Sequence, residues 1–292
     1  MRLVTFEHGG RSRLGALEGA AVADLAAADP GLPGDMVDLI ALGPAGFAKA
    51  QAALAAAPRL DLAAVRLLAP IPRPRKNVIG VGRNYRDHAR EFSASGFDAT
   101  EREMIPEHPV FFSKPPTAVI GPGAAIDTAA DPTGTADYEG ELAVVIGAPA
   151  RGVPAERALE HVFGYTIVND VTARHLQKRH VQWFVGKGPD TFCPMGPCIT
   201  TADELPDIGA SWLRTRVNGE LRQEAPISAL IFGVPALIAT LSGVMTLEPG
   251  DVIATGTPVG AGLGFDPPRY LRPGDVVEIE IDGIGTLRNP VV

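Results

Sequence analysis

The chain has 292 residues, of which 46% are hydrophobic and 21% are charged, and its net charge is −8. This composition is typical of a globular protein with a large core, arranged as one big domain or as a small domain joined to a larger one. The negative charge argues against nucleic acid or an anionic membrane as a partner, because both require clustered basic residues. An anionic substrate would need local attraction, from a metal ion or from a few basic side chains.

The first seventy residues have a pattern of their own. Short strand-like runs separated by glycines are followed by two helical segments, the second rich in alanine. The predicted strands are 2–6, 14–18, 21–25 and 65–70, and the predicted helices are 36–42 and 47–57. Three prolines and several basic residues then suit an extended linker. The sequence therefore predicts a small N-terminal α+β domain (1–70), a linker (71–76) and a larger domain (77–292).

The larger domain is predicted to be mostly β. Its predicted strands are 77–81, 110–112, 142–146, 163–168, 214–217, 251–254 and 276–281, and its predicted helices are 85–92, 154–160, 171–179 and 234–241. Strands and helices do not alternate regularly, which argues against a doubly wound sheet. The predicted fold class is thus α+β, mostly β.

Two cysteines, Cys193 and Cys198, lie in the run Cys-Pro-Met-Gly-Pro-Cys. This spacing makes a poor zinc half-site and favours reduced structural thiols in a cytoplasmic protein. The N-terminus lacks the apolar segment of a signal peptide, and no run approaches the roughly 18 apolar residues of a membrane helix. The glycine-rich run 256–264 lacks the spacing of a nucleotide-binding loop.

Three acids, Asp137, Glu139 and Glu141, alternate along the chain just before an apolar run. On a strand, alternate side chains share a face, so these carboxylates would project to the same side. Clustered carboxylates repel one another unless a cation lies among them, and hard divalent cations prefer such ligands. The alternative is a solvated strand face. The apolar run that follows, together with a further acid, Asp170, favours a metal site.

Asp170 follows the predicted strand 163–168 and precedes the predicted helix 171–179. One interpretation is a helix N-cap, for which aspartate is well suited. The other is a metal ligand at a strand end, with the neighbouring Asn169 as the cap.

Other candidates carry charge or can exchange protons. His88 and Glu91 are three apart on a predicted helix, where the carboxylate would orient the imidazole as a base. Lys187 lies between two glycines and could reach a substrate carboxylate or a developing enolate. A surface location is the alternative for each of these three residues. For Arg83, which could pair with a second carboxylate, the surface interpretation is preferred.

Six short motifs occur in the order known from one family. They are Gly82-Arg-Asn-Tyr-Arg-Asp-His, Phe112-Ser-Lys-Pro, Asp137-Tyr-Glu-Gly-Glu-Leu, Asn169-Asp-Val-Thr-Ala-Arg, Gly186-Lys with Asp190-Thr-Phe, and Ala254-Thr-Gly-Thr-Pro. Over residues 77–292 the sequence resembles the fumarylacetoacetate hydrolase superfamily. The resemblance implies a mixed β-sandwich roll, a homodimer, and Mg2+ or Mn2+ as the metal.

The resemblance also implies roles for individual residues. Glu139, Glu141 and Asp170 match metal ligands, His88 and Glu91 match a catalytic pair, and Lys187 matches a lysine beside the metal. Substrate contacts are expected from Tyr85, Arg83, Gln177 and Thr257. His175 and Pro189 depart from the family pattern near the expected pocket, which leaves the substrate open.

The expected activity is divalent-metal-dependent hydrolysis of a C–C bond in a small acylpyruvate or diketo acid, with a 2-oxo or dicarboxylic acid as the partner molecule. Decarboxylation, or isomerisation or hydration of a 2-hydroxydienoic acid, at the same site is the alternative. A metal-binding domain without catalysis is a third possibility. The sequence leaves open whether residues 98–108 act as a lid.

Overall fold

The computed structural model describes residues 1–97 and 105–292. Most of the segment 98–108, for which a lid was considered, therefore lies outside the described residues. The strands are β1 Arg2–His8, β2 Arg11–Glu18, β3 Ala21–Asp24, β4 Arg59–Asp61, β5 Arg66–Leu67, β6 Val78–Gly82, β7 Val110–Lys114, β8 Val119–Ile120, β9 Ala136–Asp137, β10 Gly140–Ile146, β11 Val162–Asn169, β12 Thr172–Ala173, β13 Cys193–Thr201, β14 Trp212–Val217, β15 Glu220–Pro226, β16 Val252–Ala254, β17 Val276–Ile281 and β18 Gly285–Pro290.

Helices are fewer and shorter. The α-helices are α1 Leu25–Ala28, α2 Met36–Ala41, α3 Pro44–Ala56, α4 Arg86–Ala94, α5 Arg174–Arg179, α6 Phe184–Lys187 and α7 Val234–Val244. The 3-10 helices are Leu62–Ala64, Pro116–Ala118, Thr128–Ala130, Ala155–His161, Ala202–Glu204, Ile208–Ala210, Ile227–Ala229 and Gly262–Gly264. The prediction of an α+β protein that is mostly β is confirmed.

The strands form two main sheets. The larger has twelve strands, in the order β4-β3-β2-β1-β13-β11-β10-β16-β6-β7, with β5 paired to β1 and β8 to β13. Its neighbours are antiparallel except for β16 with β6 and β13 with β8, which are parallel. The smaller has four strands in the order β15-β14-β17-β18, and β9 pairs with β12 in a separate ribbon. The arrangement is a mixed β-sandwich.

The smaller sheet packs on the middle of the larger one, where β14, β17 and β18 contact β10, β11 and β13. Gly140 allows this close approach at the start of β10, because a Cβ atom there would lie 2.3 Å from Thr215 Oγ1. Further along β10, Val144 faces the core between the sheets, whereas Val145 faces a second core on the other side. A strand covered on both faces needs no polar residues, which accounts for the apolar run 142–146.

The N-terminal region extends the larger sheet. Strand β1 pairs with β13, placing Leu3 opposite Ile199. Both side chains belong to the second core, together with Met36 of α2 and Val145 of β10. Residues from both sides of the predicted linker thus fill one core, while the division into domains stays a prediction.

Replacing Leu3 with alanine tests that division. Leu3 is fully buried, so the substitution should lower the free energy of unfolding by about 2–5 kcal/mol. If the core is shared in solution, calorimetry will show one unfolding transition that shifts as a whole. Leu221→Ala, at an exposed position, is the control and should change stability by less than about 0.5 kcal/mol. Two transitions, of which only one shifts, would support separate domains.

Several predicted elements differ in kind from those observed. The predicted helix 154–160 is a 3-10 helix, and the predicted strand 65–70 is paired only over Arg66–Leu67. The predicted helix 171–179 begins at Arg174, after the short strand β12. Strands β13, β15 and β18 were not predicted. In β13, Pro194 and Pro197 concealed the strand, since proline is rare inside sheets.

Both cysteines lie in β13 and are free and fully buried. Burial raises the pKa of Cys193 to about 12 and also raises that of Cys198. Because only thiolates react rapidly, neither residue should react with a disulfide reagent such as dithionitrobenzoate in native protein at pH 8. Both should react once guanidinium unfolds the chain. Rapid labelling of the native protein would contradict the buried placement.

Among the described residues, no helix is both long and apolar enough to cross a bilayer. The homodimer and the cytoplasmic location expected from the sequence stay predictions.

Candidate metal and active site

The site forms where the ends of neighbouring strands of the larger sheet meet. Strand β10 begins beside the end of β11, with Gly140 opposite Asn169. The backbone N–H of Asp170 donates to the carbonyl of Glu139 at 2.8 Å, and the backbone N–H of Glu139 donates to Asn169 Oδ1 at 3.1 Å. These bonds fix the strand ends that carry the acids.

Two further strand ends contribute loops to the same edge. Strand β16 leads into residues 255–257, where the backbone N–H of Gly256 donates to Glu141 Oε2 at 2.8 Å. Strand β6, parallel to β16, leads into α4. Between them, Asn84 Nδ2 donates to the carbonyl of Thr255 at 2.7 Å, which joins the two loops.

Three carboxylates form a compact buried cluster at this edge. One oxygen from each of Glu139, Glu141 and Asp170 lies within 4.8 Å of the others, and each residue is at most 3% exposed. The interpretation of the alternating acids as a solvated face is therefore wrong for this pair of glutamates. The N-cap interpretation is also wrong, because α5 begins at Arg174 and neither Asp170 nor Asn169 precedes it directly.

Three buried cations surround the carboxylates. Lys187 Nζ lies 2.7 Å from Glu139 Oε2 and 2.5 Å from Asp170 Oδ2. Lys114 Nζ lies 2.7 Å from Asp170 Oδ1. Arg174 places one guanidinium nitrogen 2.6 Å from Glu139 Oε1. The surface interpretation of Lys187 is wrong, since it is 2% exposed.

The cations are shared unequally among the acids. Burial opposes ionisation of Glu139, but Arg174 and Lys187 outweigh it and hold the pKa of Glu139 below its usual range. For Glu141, burial and the neighbouring charges of Asp170 and Glu139 raise the pKa well above its ordinary value. Glu141 is thus the carboxylate whose negative charge is not balanced by the neighbouring cations. A divalent cation that prefers oxygen ligands fits this donor set.

The His88–Glu91 pair lies over the cluster. His88 Nδ1 is 2.9 Å from Glu91 Oε2, while His88 Nε2 is 3.9 Å from Glu139 Oε1. The side chains of His88 and Glu91 are only 6% and 9% exposed, so the surface interpretation is wrong. The imidazole therefore directs Nε2 towards the carboxylate cluster, while its Nδ1 is held by the Glu91 carboxylate.

The cluster and the pair enclose a small pocket. Its volume is about 20 Å3, roughly room for one water molecule. It is lined by Val81, Gly82, Arg83, His88, Phe92, Phe112, Glu139, Glu141, Arg174, Gln177, Trp183, Lys187 and Thr257. Seven of the ten predicted site residues are among these. Arg83 is one of them and is 5% exposed, so the preferred surface interpretation of it is wrong.

The other three predicted residues do not line the pocket. Glu91 is behind His88, and Asp170 is covered by the two lysines. Tyr85 is buried, and its hydroxyl finds no hydrogen-bond partner among residues 1–97 and 105–292. A direct substrate contact from Tyr85 stays a prediction.

Thr257 is held by the protein rather than free for a ligand. Its hydroxyl donates to the carbonyl of Gly140 at 2.9 Å and accepts from Gln223 Nε2 at 2.7 Å. Only a remaining lone pair could face a ligand, so Thr257 could contact a substrate only as an acceptor. Gln177 Oε1 is 3.3 Å from Arg174, which leaves its amide nitrogen as the candidate contact.

Four buried residues organise the site without having been predicted to do so: Lys114, Arg174 and Gln223 had no assigned role, and Asp137 was expected on the same face as the two glutamates. Asp137 belongs to the alternating acids, but its carboxylate pairs with Arg174 and accepts from the backbone of residues 262 and 263. Lys114 and Arg174 lie in two of the six motifs, but nothing in the sequence indicates that their side chains are buried. Gln223 lies on an unpredicted strand.

Known proteins share this architecture. Residues 77–292 match the family model described as fumarylacetoacetate (FAA) hydrolase, C-terminal. Oxaloacetate tautomerase YisK of Bacillus subtilis is 49% identical over 269 residues, which cover 89% of this chain and 87% of that protein.

Solved structures agree over the whole length. The fumarylacetoacetate hydrolase of Exiguobacterium antarcticum is 43% identical with a TM-score of 0.85, covering 100% of this chain and 99% of that one. Maleylpyruvate hydrolase of Sphingobium, solved with manganese(II) and pyruvate, is 36% identical with a TM-score of 0.80 and the same coverage. The chain belongs to the fumarylacetoacetate hydrolase superfamily.

Proposed function

We propose that the protein is an enzyme that interconverts the keto and enol forms of a small 2-oxo dicarboxylic acid of the oxaloacetate type. The observation that carries the proposal is the placement of His88 Nε2 beside a cluster of three carboxylates and a buried lysine. This combination suits removal of a proton from a carbon next to a keto group. Relatives 39–49% identical to this chain are named oxaloacetate tautomerases, which supports this substrate.

Glu139, Glu141 and Asp170 would hold Mg2+ or Mn2+ in this proposal. When bound, such an ion supplies Lewis-acid polarisation of the keto group and orients the 2-oxo acid. The donor set is all oxygen, as these ions prefer, and the related maleylpyruvate hydrolase was solved with manganese(II).

His88 is the proposed base. When Nδ1 carries a proton and donates a hydrogen bond to Glu91, Nε2 of the same ring keeps a lone pair. That lone pair can take a proton from C3 of the substrate. The same nitrogen then returns a proton to the C2 oxygen for the enol or to C3 for the keto form. One group thus moves protons in both directions, and no other co-reactant is required.

Lys187 is proposed as a fixed positive charge rather than a base. Burial alone would lower its pKa, but Asp170 and Glu139 outweigh burial and raise it above its ordinary value. Lys187 therefore remains protonated at neutral pH and can stabilise the negative charge that develops on the C2 oxygen. Arg83 and Arg174, which also line the pocket, supply positive charge for the substrate carboxylates.

Hydrolysis of an acylpyruvate is the second candidate, and one observation favours it. The pocket beside His88 has roughly room for one water molecule. His88 could take a proton from such a water, which would attack the distal carbonyl of the substrate. The C–C bond between that carbonyl and C3 would then break, releasing a carboxylic acid and the enolate of pyruvate, whose C3 takes back the proton from His88. The related maleylpyruvate hydrolase supports this alternative.

The two candidates differ in their products. Purified protein with Mg2+ or Mn2+ would be mixed with oxaloacetate in deuterated water, and with acylpyruvates in parallel. Tautomerase activity speeds loss of the enol absorbance and incorporation of deuterium at C3, without fragmentation. Two carboxylic acid fragments from an acylpyruvate, without faster enol decay, would support hydrolysis instead, and release of CO2 would indicate decarboxylation.

A further inference from the structure

The Glu91 carboxylate is bound on both sides by different parts of the chain. Its Oε2 contacts His88 Nδ1 on its own helix, and its Oε1 accepts from the backbone N–H of Gly260 at 3.0 Å. Gly260 begins a turn that ends at Gly264, and we call residues 260–264 the cradle. These residues belong to the glycine-rich run 256–264, which lacks the spacing of a nucleotide-binding loop.

Gly264 leaves the space that the carboxylate occupies. A Cβ atom at this position would lie 1.9 Å from Glu91 Oε1 and 2.3 Å from its Cδ, far inside van der Waals contact. Gly264 ends the 3-10 helix Gly262–Gly264 and does not have the positive φ that would by itself require glycine. The backbone would accept alanine, and the three atoms nearest to the added Cβ all belong to the Glu91 side chain.

The cradle is tied to the carboxylate cluster. Asp137 accepts from the backbone N–H groups of Gly262 and Leu263 at 2.7 and 3.0 Å. The same carboxylate lies 2.8 Å from Arg174, which in turn contacts Glu139. A chain of charged groups therefore sets the distance between the cradle and the proposed metal ligands.

An apolar contact completes the docking of α4. Phe92, one position after Glu91, packs with Ala261 and Leu263 of the cradle. Helix α4 thus meets the cradle through a carboxylate and an aromatic ring on adjacent positions.

We propose that the cradle receives the Glu91 carboxylate and so fixes the position and tautomer of His88, with Gly264 as the positioning residue. This inference rests on the proposed function, since the positioned group is the proposed base. It assigns a role to a glycine that touches neither substrate nor metal.

Gly264→Ala is the direct test. The atoms that the new methyl group meets belong to the end of a flexible side chain, so Glu91 should be displaced while the fold persists. We expect kcat to fall about a hundredfold, the cost of a misplacement near 1 Å, with Mn2+ affinity measured by calorimetry unchanged. Gly243→Ala is the matched control, since a Cβ atom there meets nothing within 4 Å.

A double variant separates displacement of Glu91 from other effects. Glu91→Asp withdraws the carboxylate by one methylene and makes room for the alanine methyl. Gly264→Ala combined with Glu91→Asp should therefore be no slower than Glu91→Asp alone, rather than a further hundredfold slower. If the losses of kcat in the two single variants multiply in the double variant, the proposal is overturned. It is also overturned if Gly264→Ala keeps kcat within twofold of the parent and leaves the protection of α4 from amide hydrogen exchange unchanged.

Hydrogen exchange supplies a readout that does not depend on turnover. Gly264→Ala should speed amide hydrogen exchange in residues 86–94 and leave exchange in β10 unchanged. The nitrogen NMR chemical shifts of the His88 ring should no longer be those of the Nδ1–H tautomer. Faster exchange in α4 with an unaltered kcat would support docking of Glu91 in the cradle but refute the proposed role of His88 as the base. If Gly264→Ala fails to fold, Glu91→Ala answers the same question, and unchanged protection of α4 in that variant overturns the proposal.

Discussion

Glu141→Gln should abolish binding of Mn2+ while leaving the metal-free protein as stable as the parent or more so. The Glu141 carboxylate accepts a hydrogen bond from the backbone N–H of Gly256. Burial and the charges of Asp170 and Glu139 disfavour its ionised form. Glutamine removes that unfavourable charge, keeps an oxygen for Gly256, and loses a charged ligand. Without the ion, turnover should fall about a thousandfold or more.

Glu139→Gln should behave differently although it alters the same cluster. Glu139 contacts both Arg174 and Lys187 at hydrogen-bond distance. Breaking a buried ion pair on one side costs about 3–5 kcal/mol, a drop in Tm on the order of 10 °C. This variant should lose both metal binding and stability, whereas Glu141→Gln loses only the first.

Calorimetric titration with Mn2+ and thermal unfolding in the presence of a chelator measure the two properties separately. Glu160→Gln, the same change at a surface carboxylate whose ion pair with Arg157 is exposed, is the control and should alter neither property. Parent-like Mn2+ affinity in Glu141→Gln would refute its role as a ligand. Equal losses of Tm in the two variants would refute the unequal distribution of cations.

The stability of Glu141→Gln relative to the parent should depend on pH in one direction. The pKa of Glu141 is raised in the folded state, chiefly by burial and then by Asp170 and Glu139, above its ordinary value of 4.5. A raised carboxylate pKa destabilises the folded state as pH rises above the unfolded value and has no effect below it. The Tm difference in chelator should therefore grow from pH 4.5 towards pH 8 and vanish near pH 4.

The charges of the site suit the proposed divalent cation. Of the four buried carboxylates, those of Asp137, Glu139 and Asp170 pair with the three cations of Lys114, Arg174 and Lys187, whereas no such ion pair reaches Glu141 within the described residues. The excess negative charge falls on Glu141. A divalent ion would reverse the balance and leave net positive charge, as an anionic 2-oxo acid requires. The net charge of −8 is thus compatible with an anionic substrate because the attraction is local.

The sequence predicted the acids because they obey local rules. Glu139 and Glu141 have strand periodicity next to an apolar run, and Asp170 follows a buried strand. Their partners Lys114 and Arg174 could not be found in that way, since burial of a cation depends on long-range packing and charged residues are ordinarily exposed. The same holds for the glycine run, whose role depends on the position of Glu91, about 170 residues away in sequence.

Asp137 shows the limit of the periodic argument. Strict alternation would place its carboxylate with those of Glu139 and Glu141. The structure breaks the strand between β9 and β10, so Asp137 instead faces Arg174 and the cradle. Periodicity identified the set of acids, and the break in strand pairing separates the two proposed metal ligands from Asp137, which supports Arg174 and the cradle.

His88→Asn should lower kcat by about 10²- to 10⁴-fold, the usual contribution of a general base, while Mn2+ still binds. The asparagine amide can donate to Glu91 as His88 Nδ1 does, but it offers no group at the position of Nε2. Helix α4 should therefore stay docked in the cradle, and its amide exchange should match the parent. His8→Asn, at an exposed position, is the control and should leave kcat unchanged.

The measurement is the rate of deuterium incorporation at C3 of oxaloacetate, with enol decay followed in parallel. A purely structural role for His88 would lower both kcat and the protection of α4, whereas a proton-transfer role lowers kcat alone. Parent-like exchange at C3 would require another base. In the metal-free protein Asp170 and Glu139 raise the pKa of Lys187, which favours its protonated form over a role as that base. The assignment of the His88–Glu91 pair as the catalytic unit would then fail.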